Sequence, residues 1–562
     1  MVHYNQYEVK IMTKLHELAQ LIYPNSTVTI ADLEAKYPPR DLSDSAMVTR
    51  FAPSPTGFLH TGSLFASLVS YRMAKQSQGV FFVRLEDTDQ KREISGSAEQ
   101  LINQLHLFGV VPDESFLSGG AYGPYAQSER KFCYDTVIKE LIIRGDAYPC
   151  FCSHDELTEM RYKQEALKVN PGYYGQYATC RRLTTEEMIS KIQAGMTYVI
   201  RFKSHGKHEN KVAITDEIRG NLELTENDQD IVIMKTDGLP TYHFAHLVDD
   251  HFMRTTHITR GEEWLPSLPI HLELFDRMNW HRPKYCHLPV IMKLEEGRRR
   301  KLSKRKDPEA SVSFFLEAGY PIEGILEYLM TIANSNFEEW RIANPTLDMF
   351  DFSLTFQKMT LDGALFDIEK VQSISKEKLG AMDSKMFVSR ALAYAMQYNK
   401  ELLSIIESDV DYFERIIAIE RGGEKPRKDY NTFMDILPVI GFMYDEYYYQ
   451  WDGFVWPFQE RFTKDQIHLV LQTYLQNPGL SLGEVGWFEN IKELCASIGF
   501  SPSVKDYKKN KEAYLGHVGD FAEIIRIAVS KKNSTPNFFQ ILSILGEENV
   551  KKRIRAVQSI LK

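Results

Sequence analysis

The stretch Arg50-Phe51-Ala52-Pro53-Ser54-Pro55-Thr56-Gly57-Phe58-Leu59-His60-Thr61-Gly62-Ser63 decides how the chain is read. Residues 47–52 predict a short strand. The prolines and glycines turn the chain, and residues 64–74 predict a helix with Leu64, Leu68 and Tyr71 on one face. Residues 80–85 predict a second strand and residues 97–108 a second helix. Strand, helix, strand, helix is the rhythm of a parallel α/β sheet. Backbone N–H groups at a helix start suit an anion such as a phosphate. His60 can donate to a phosphate oxygen, and Gly62 lets another group approach the backbone. Taken alone, the same residues also fit a plain strand–helix turn with an incidental histidine.

Further along, residues 298–306 carry seven basic side chains in nine positions, around Lys301-Leu302-Ser303-Lys304-Arg305. Crowded cations suit a polyanion; a solvated basic loop is the plainer alternative. Strands are expected at 231–234, 256–259 and 288–292. About 90 residues between the two α/β halves hold Cys150, Cys152 and Cys180 and have the character of an insertion. Helical spacing dominates later, at 322–332, 386–398 and 521–529. Ahead of everything, residues 1–45 predict a small helical extension, broken at Pro24, with no visible chemistry.

The length of 562 residues implies about three to five domains. With 43% hydrophobic and 25% charged residues, the composition is that of a globular protein and excludes a disordered or collagen-like chain. No run reaches the ~18 apolar residues of a membrane helix. Six scattered cysteines and no signal-like or Arg-rich leader predict a reducing, cytoplasmic location. The net charge of −9 argues against a nucleic-acid partner only as an average, because binding depends on where cations sit.

In order and character, the His60 and Lys301 motifs resemble the two signatures of class I aminoacyl-tRNA synthetases. Arg84-Leu85-Glu86-Asp87-Thr88-Asp89, the segment Gly123 to Arg130, the segment Asp237 to Asp250, and Thr256-His257-Ile258-Thr259-Arg260-Gly261-Glu262-Glu263-Trp264 narrow the resemblance to glutamyl-tRNA synthetases. It runs from about Met47 to the end, dense to about Asp307 and thinner beyond.

The resemblance implies an α/β catalytic Rossmann-like domain with an inserted α/β domain, followed by a mainly α-helical C-terminal half. The expected boundaries are 1–45 for the extension, 46–143 and 230–306 for the split catalytic domain, and 144–229 for the acceptor-end-binding insertion. A helical stem-contact domain follows at 307–374 and an anticodon-binding domain at 375–562. The implied reaction is ATP-dependent ligation of L-glutamate to the 3′ end of tRNA(Glu) through glutamyl-adenylate, with Mg²⁺ accompanying ATP.

By position, Arg50, Ala52, Ser54, Glu86, Tyr242, His246 and Arg260 would bind glutamate. Glu86 would accept the ammonium and the two arginines would hold carboxylates. His246 stands where the family often has asparagine. His60, Gly62, Glu263, Trp264, Lys301, Ser303 and Lys304 would hold ATP, with His60, Gly62, Lys301 and Lys304 carrying the catalysis. Arg427 and Arg526 would contact the anticodon. Cys150, Cys152 and Cys180 either hold a zinc ion, as in some members of the family, with Tyr177 or His154 as candidates for the fourth ligand, or are reduced, buried cysteines, as expected of members that lack the metal. A monomer is expected. A glutaminyl-tRNA synthetase is the nearest rival, disfavoured by Arg260, since a cation suits a carboxylate better than an amide. A truncated relative that modifies a tRNA base is disfavoured by the long C-terminal half, and a non-catalytic tRNA-binding protein by the retained catalytic motifs.

Overall fold

The computed structural model describes residues 6–55, 57, 59–89, 96–303, 305–423 and 426–561. Lys304 lies outside the described residues, so the role expected of it has no geometry. The chain divides into two compact units, Met1–Phe314 with Leu326–Asp367, and Phe315–Ile325 with Ile368–Lys562.

The first unit opens with α1 (Gln6–Ile22) and α2 (Ile30–Lys36). Then come β1 (Val48–Phe51), α3 (Thr61–Gln76), β2 (Val80–Val83), α4 (Ser97–Leu107) and α5 (Lys131–Arg144). The middle holds β3 (Ala147–Cys150), α6 (His154–Ala166), α7 (Thr185–Gln193), β4 (Val199–Phe202), β5 (Lys211–Asp216), β6 (Gly220–Thr225) and β7 (Val232–Met234). The second catalytic half supplies α8 (Tyr242–Phe252), β8 (His257–Gly261), α9 (Leu268–Arg277), β9 (Lys284–Leu288), β10 (Met292–Glu295) and β11 (Arg298–Lys301).

β1 and β2 pair in parallel, as the strand–helix–strand rhythm predicts. The Thr256 N–H donates to Val48 O at 3.0 Å and brings β8 alongside β1. β8 continues into a four-stranded sheet ordered β6-β5-β9-β8. The segment expected as an insertion, 144–229, therefore serves two sheets. Its β4 pairs with β3 on one side and β7 on the other, while its β5–β6 hairpin joins the catalytic strands through β5 beside β9. Capping boxes Ser153/Glu156 and Thr184/Glu187 start the two helices of this segment. The strand expected at 288–292 is instead the gap between β9 and β10, because Pro289 has no N–H for a ladder. β10 and β11 form a hairpin turned by Glu296 and Gly297, both at positive φ, which matches a two-residue turn whose twist fits the flanking strands.

The N-terminal extension is tied to this unit by polar contacts. Arg40 makes a two-pronged bridge to Glu114, Tyr37 Oη donates to Gly123 O at 2.9 Å, and Glu34 pairs with Arg254.

The second unit is helical around one apolar core that includes Phe387, Ile406, Phe413, Ile436, Tyr474, Ile491 and Phe521. Helix Val518–Ser530 buries Phe521, Ile524, Ile525 and Ala528, the spacing of one helix face. The domain boundary expected between residues 374 and 375 falls inside helix Ile368–Ala381, which runs through it without a break.

Candidate active site

A cleft of about 450 Å³ opens at the C-terminal ends of β1, β8 and β9. Its wall carries Arg50, Ala52, Ser54, His60, Gly62, Glu86, Tyr242, Arg260, Glu263, Trp264 and Lys301, so residues up to 251 positions apart in sequence meet in one place. Two expected site residues lie off this wall. Ser303 sits in the following loop, its N–H donating to Asp307 Oδ2 at 2.9 Å. His246 is fully buried beneath Tyr242, with the rings 5.8 Å apart and nearly parallel, because α8 turns it inward. Its Nδ1 lies 2.8 Å from Asp250 Oδ2, one helical turn on, without the alignment of a hydrogen bond. Burial holds its pKa down to about 3, so the ring is neutral.

His60 caps α3: its Nδ1 accepts the Gly62 N–H at 2.9 Å. That bond places the ring proton on Nε2, the tautomer suited to donate to a phosphate oxygen. A Cβ at Gly62 would meet His60 Nδ1 at 3.2 Å, so the group that the glycine admits is the histidine ring itself.

Beneath the cleft, two adjacent buried aspartates at the end of α8 gather three buried arginines. Asp250 accepts from Arg84 at 2.7 Å and from Arg50 Nε at 3.3 Å. Asp249 accepts from Arg130 at 2.5 Å, from Gln127 at 2.9 Å and from Tyr134 at 2.9 Å. Arg84 also lies 3.4 Å from Glu86 Oε1. The Glu86 side chain is 11% exposed, and burial pushes its carboxyl up to about 7 against the pull of Arg84 and Arg50. An ammonium binds the ionised carboxylate only. KM for glutamate is therefore expected to rise about tenfold per pH unit below pH ~7 and to level off above it, with the slope absent in Glu86→Gln. Initial-rate measurements from pH 5.5 to 8.5 check this, and a flat wild-type profile would refute it.

Arg260 differs from the three buried arginines beneath the cleft. Its Nε donates to His287 Nε2 at 3.0 Å and its Nη1 to His271 Nδ1 at 3.2 Å. Among the described residues it has no carboxylate partner, and its buried Nη2 has no partner at all. A buried guanidinium left without a counter-charge is costly unless a ligand supplies one. Arg50 is already committed to Asp250 and to Thr259 O. Reading sequence alone missed Asp216, His243, His271 and His287 around this arginine; the available signal was a histidine at 287, inside an otherwise apolar strand end.

The basic segment is less bare than its sequence implies. Arg300 bridges Asp307 and Glu295, Lys293 pairs with Glu309, and Lys301 Nζ lies 2.7 Å from Glu263 across the cleft wall.

The thiols of Cys150, Cys152 and Cys180 lie within 4.8 Å of one another, with Cys152 and Cys180 sulfurs 3.6 Å apart. A tetrahedral zinc with Zn–S of about 2.3 Å implies sulfurs ~3.8 Å apart, close to what is found. Tyr173 Oη is 3.4 Å from Cys150 Sγ and 3.3 Å from Cys152 Sγ. Neither Tyr177, whose ring packs edge-on against Tyr174, nor His154 at the start of α6 is in this cluster. Tyr173, rather than either expected candidate, stands beside the thiols.

In the second unit Arg427 pairs with Glu420 at 3.1 Å and with Asp429. Arg526 lies over the Phe538 ring at 5.1 Å and donates to Asn533 O at 3.2 Å.

Comparison with known proteins gives the class of this chain. Residues 46–364 match the family of class I tRNA synthetases (E and Q), catalytic domain, and residues 503–558 match an anticodon binding domain. The chain belongs to this class I tRNA synthetase family. It is 44% identical to a glutamate–tRNA ligase of Acetivibrio thermocellus over 96% of this chain and 99% of the relative, and 43% identical to one of Clostridium perfringens over 96% and 99%. Coverage of 96% carries these alignments into residues 1–45, beyond the range of the sequence resemblance. The glutamate–tRNA synthetase structure from Elizabethkingia anophelis superposes with a TM-score of 0.73 at 26% identity, covering 92% of this chain and all of that one. No helix among the described residues is long and apolar enough to cross a membrane.

Proposed function

We propose that the chain attaches L-glutamate to the 3′ end of tRNA(Glu) in two steps, using ATP. The observation that carries the choice of amino acid is Arg260, a buried guanidinium that lines the cleft, donates to two neutral imidazoles and lies over the Tyr285 ring, with no carboxylate partner among the described residues. A carboxylate supplies the missing charge; a carboxamide does not. Glu86 would take the α-ammonium, and Arg50, anchored on Asp250 and lining the same cleft, would hold the α-carboxylate. Tyr242, Ala52 and Ser54 complete the walls.

The α-carboxylate oxygen attacks the α-phosphorus of ATP, and the bond to the departing pyrophosphate breaks. The 2′-hydroxyl of the terminal adenosine then displaces AMP. The residues here form no covalent bond; they position groups and stabilise charge. His60 Nε2–H donates to phosphate oxygen, the α3 N-terminus adds its partial positive charge, and Lys301 and Lys304 neutralise the leaving pyrophosphate. Trp264 packs against Tyr242, with centroids 4.4 Å apart, and offers a face for adenine. Mg²⁺ supplies further charge neutralisation to the triphosphate.

Arg526 suits stacking against unpaired anticodon bases, whereas the charge of Arg427 is already matched by two carboxylates. Cys150, Cys152 and Cys180 with Tyr173 would hold a structural zinc that braces the insertion. Elemental analysis of purified protein is expected to find about one zinc per chain, and Cys152→Ser to lose it. Content well below stoichiometric refutes the site. A cytoplasmic monomer completes the reading. Aminoacylation of purified tRNA(Glu) and tRNA(Gln) with labelled glutamate and glutamine tests it; failure to charge tRNA(Glu) with glutamate overturns it.

A further inference from the structure

We infer that Asp216 and His287, together with His271 and His243, are positioning residues that aim Arg260 and thereby set the preference for a side-chain carboxylate over a carboxamide. This rests on the reading of Arg260 as the residue that binds the glutamate side chain.

Sheet register builds the first arm. β5, β9 and β8 are neighbours, with Asp216 opposite Tyr285 and His287 opposite Arg260. Asp216 Oδ2 accepts from His287 Nδ1 at 2.7 Å, which fixes the proton on Nδ1 and points the Nε2 lone pair at Arg260 Nε. Asp216 is itself held by the backbone N–H groups of Ile218, Arg219 and His287. The second arm is His271, whose Nδ1 accepts from Arg260 Nη1 and whose Nε2 donates to His243 Nδ1 at 3.0 Å. Asp216, His271 and His287 are at most 1% exposed, and burial lowers the pKa of all three histidines, keeping the imidazoles neutral.

The use of imidazoles has a consequence. A carboxylate placed directly on Arg260 would orient it equally well but would also cancel its charge. An imidazole accepts the same hydrogen bond without a counter-charge, and the nearest anion of this arm, Asp216, stands one ring further away. Two edges of the guanidinium are thereby fixed, the buried Nη2 has no hydrogen-bond partner among the described residues, and the side chain borders the cleft. Asp216 lies on the hairpin of the segment expected as an insertion, so that hairpin takes part in choosing the amino acid.

The test is pyrophosphate exchange with tRNA present, reading KM for glutamate, KM for ATP, kcat, and the glutamate-to-glutamine ratio of kcat/KM. In His287→Leu, KM for glutamate is expected to rise ~10- to 100-fold and the preference to shrink by a similar factor, the scale of one charge-assisted hydrogen bond. KM for ATP and kcat should stay within about threefold. His287→Gln, whose carboxamide oxygen can still accept from Nε, should recover most of the loss. If His287→Leu does not fold, His271→Phe asks the same question from the Nη1 side. An unchanged glutamate KM, or equal damage to ATP binding and kcat, overturns the inference. Arg260→Gln is the control: if it too leaves glutamate KM unchanged, the reading of Arg260 has failed, whereas a loss there without one in the histidine variants sinks the positioning role alone.

Discussion

Arg260→Gln is expected to lower kcat/KM for glutamate by about 10²–10³, almost all of it through KM. Removing one partner of a buried charge pair costs ~2–5 kcal/mol, and every 1.4 kcal/mol is a factor of ten. The middle of that range, about 3–4 kcal/mol, applies because Arg260 is 6% exposed, so water screens little. The variant keeps a side chain able to donate to a neutral group, so glutamine activation should fall much less than glutamate activation. The exchange assay with both amino acids measures this directly. Equal losses for the two would show that the residue supports the cleft without selecting its occupant.

Lys301→Ala is expected to slow pyrophosphate exchange by ~10²–10³, the scale for removing one group that stabilises charge in a transition state. In this structure the lysine rests on Glu263, itself on the cleft wall. A polyphosphate carries more negative charge than one carboxylate and can draw the ammonium across. Because the charge on the departing pyrophosphate grows during the reaction, the loss should appear in kcat with KM for glutamate little altered. An unchanged exchange rate would remove Lys301 from the mechanism.

The fold was legible where local pattern and tertiary position agree. β1, α3, β2 and α4 fall within a few residues of the expected spans, because their apolar spacing is that of elements buried on one or both faces. The strand expected at 288–292 failed because an apolar run was read through Pro289, which cannot join a ladder. The β5–β6 hairpin looked like part of an insertion because alternating, half-exposed strands do not reveal which sheet they join. In the candidate site, the motif residues His60, Gly62, Glu86, Tyr242, Arg260 and Lys301 do converge on one cleft. His246 was legible as a departure in type but not in placement, since the turn of α8 decides whether a side chain points at ligand or core.

By itself the sequence determined the α/β core, the helical later half and the set of polar groups brought to the cleft. Motifs at strand ends and helix starts are local, and their chemistry survives translation into structure. Only the tertiary structure decided which cations are free to act. Arg50, Arg84 and Arg260 look alike as arginines, yet the first two pair with the Asp250 carboxylate while imidazoles accept from the third. Likewise Tyr173 replaced Tyr177 beside the thiols. Charge compensation depends on distances of a few ångströms between residues far apart in the chain, and no pattern along the chain encodes those distances.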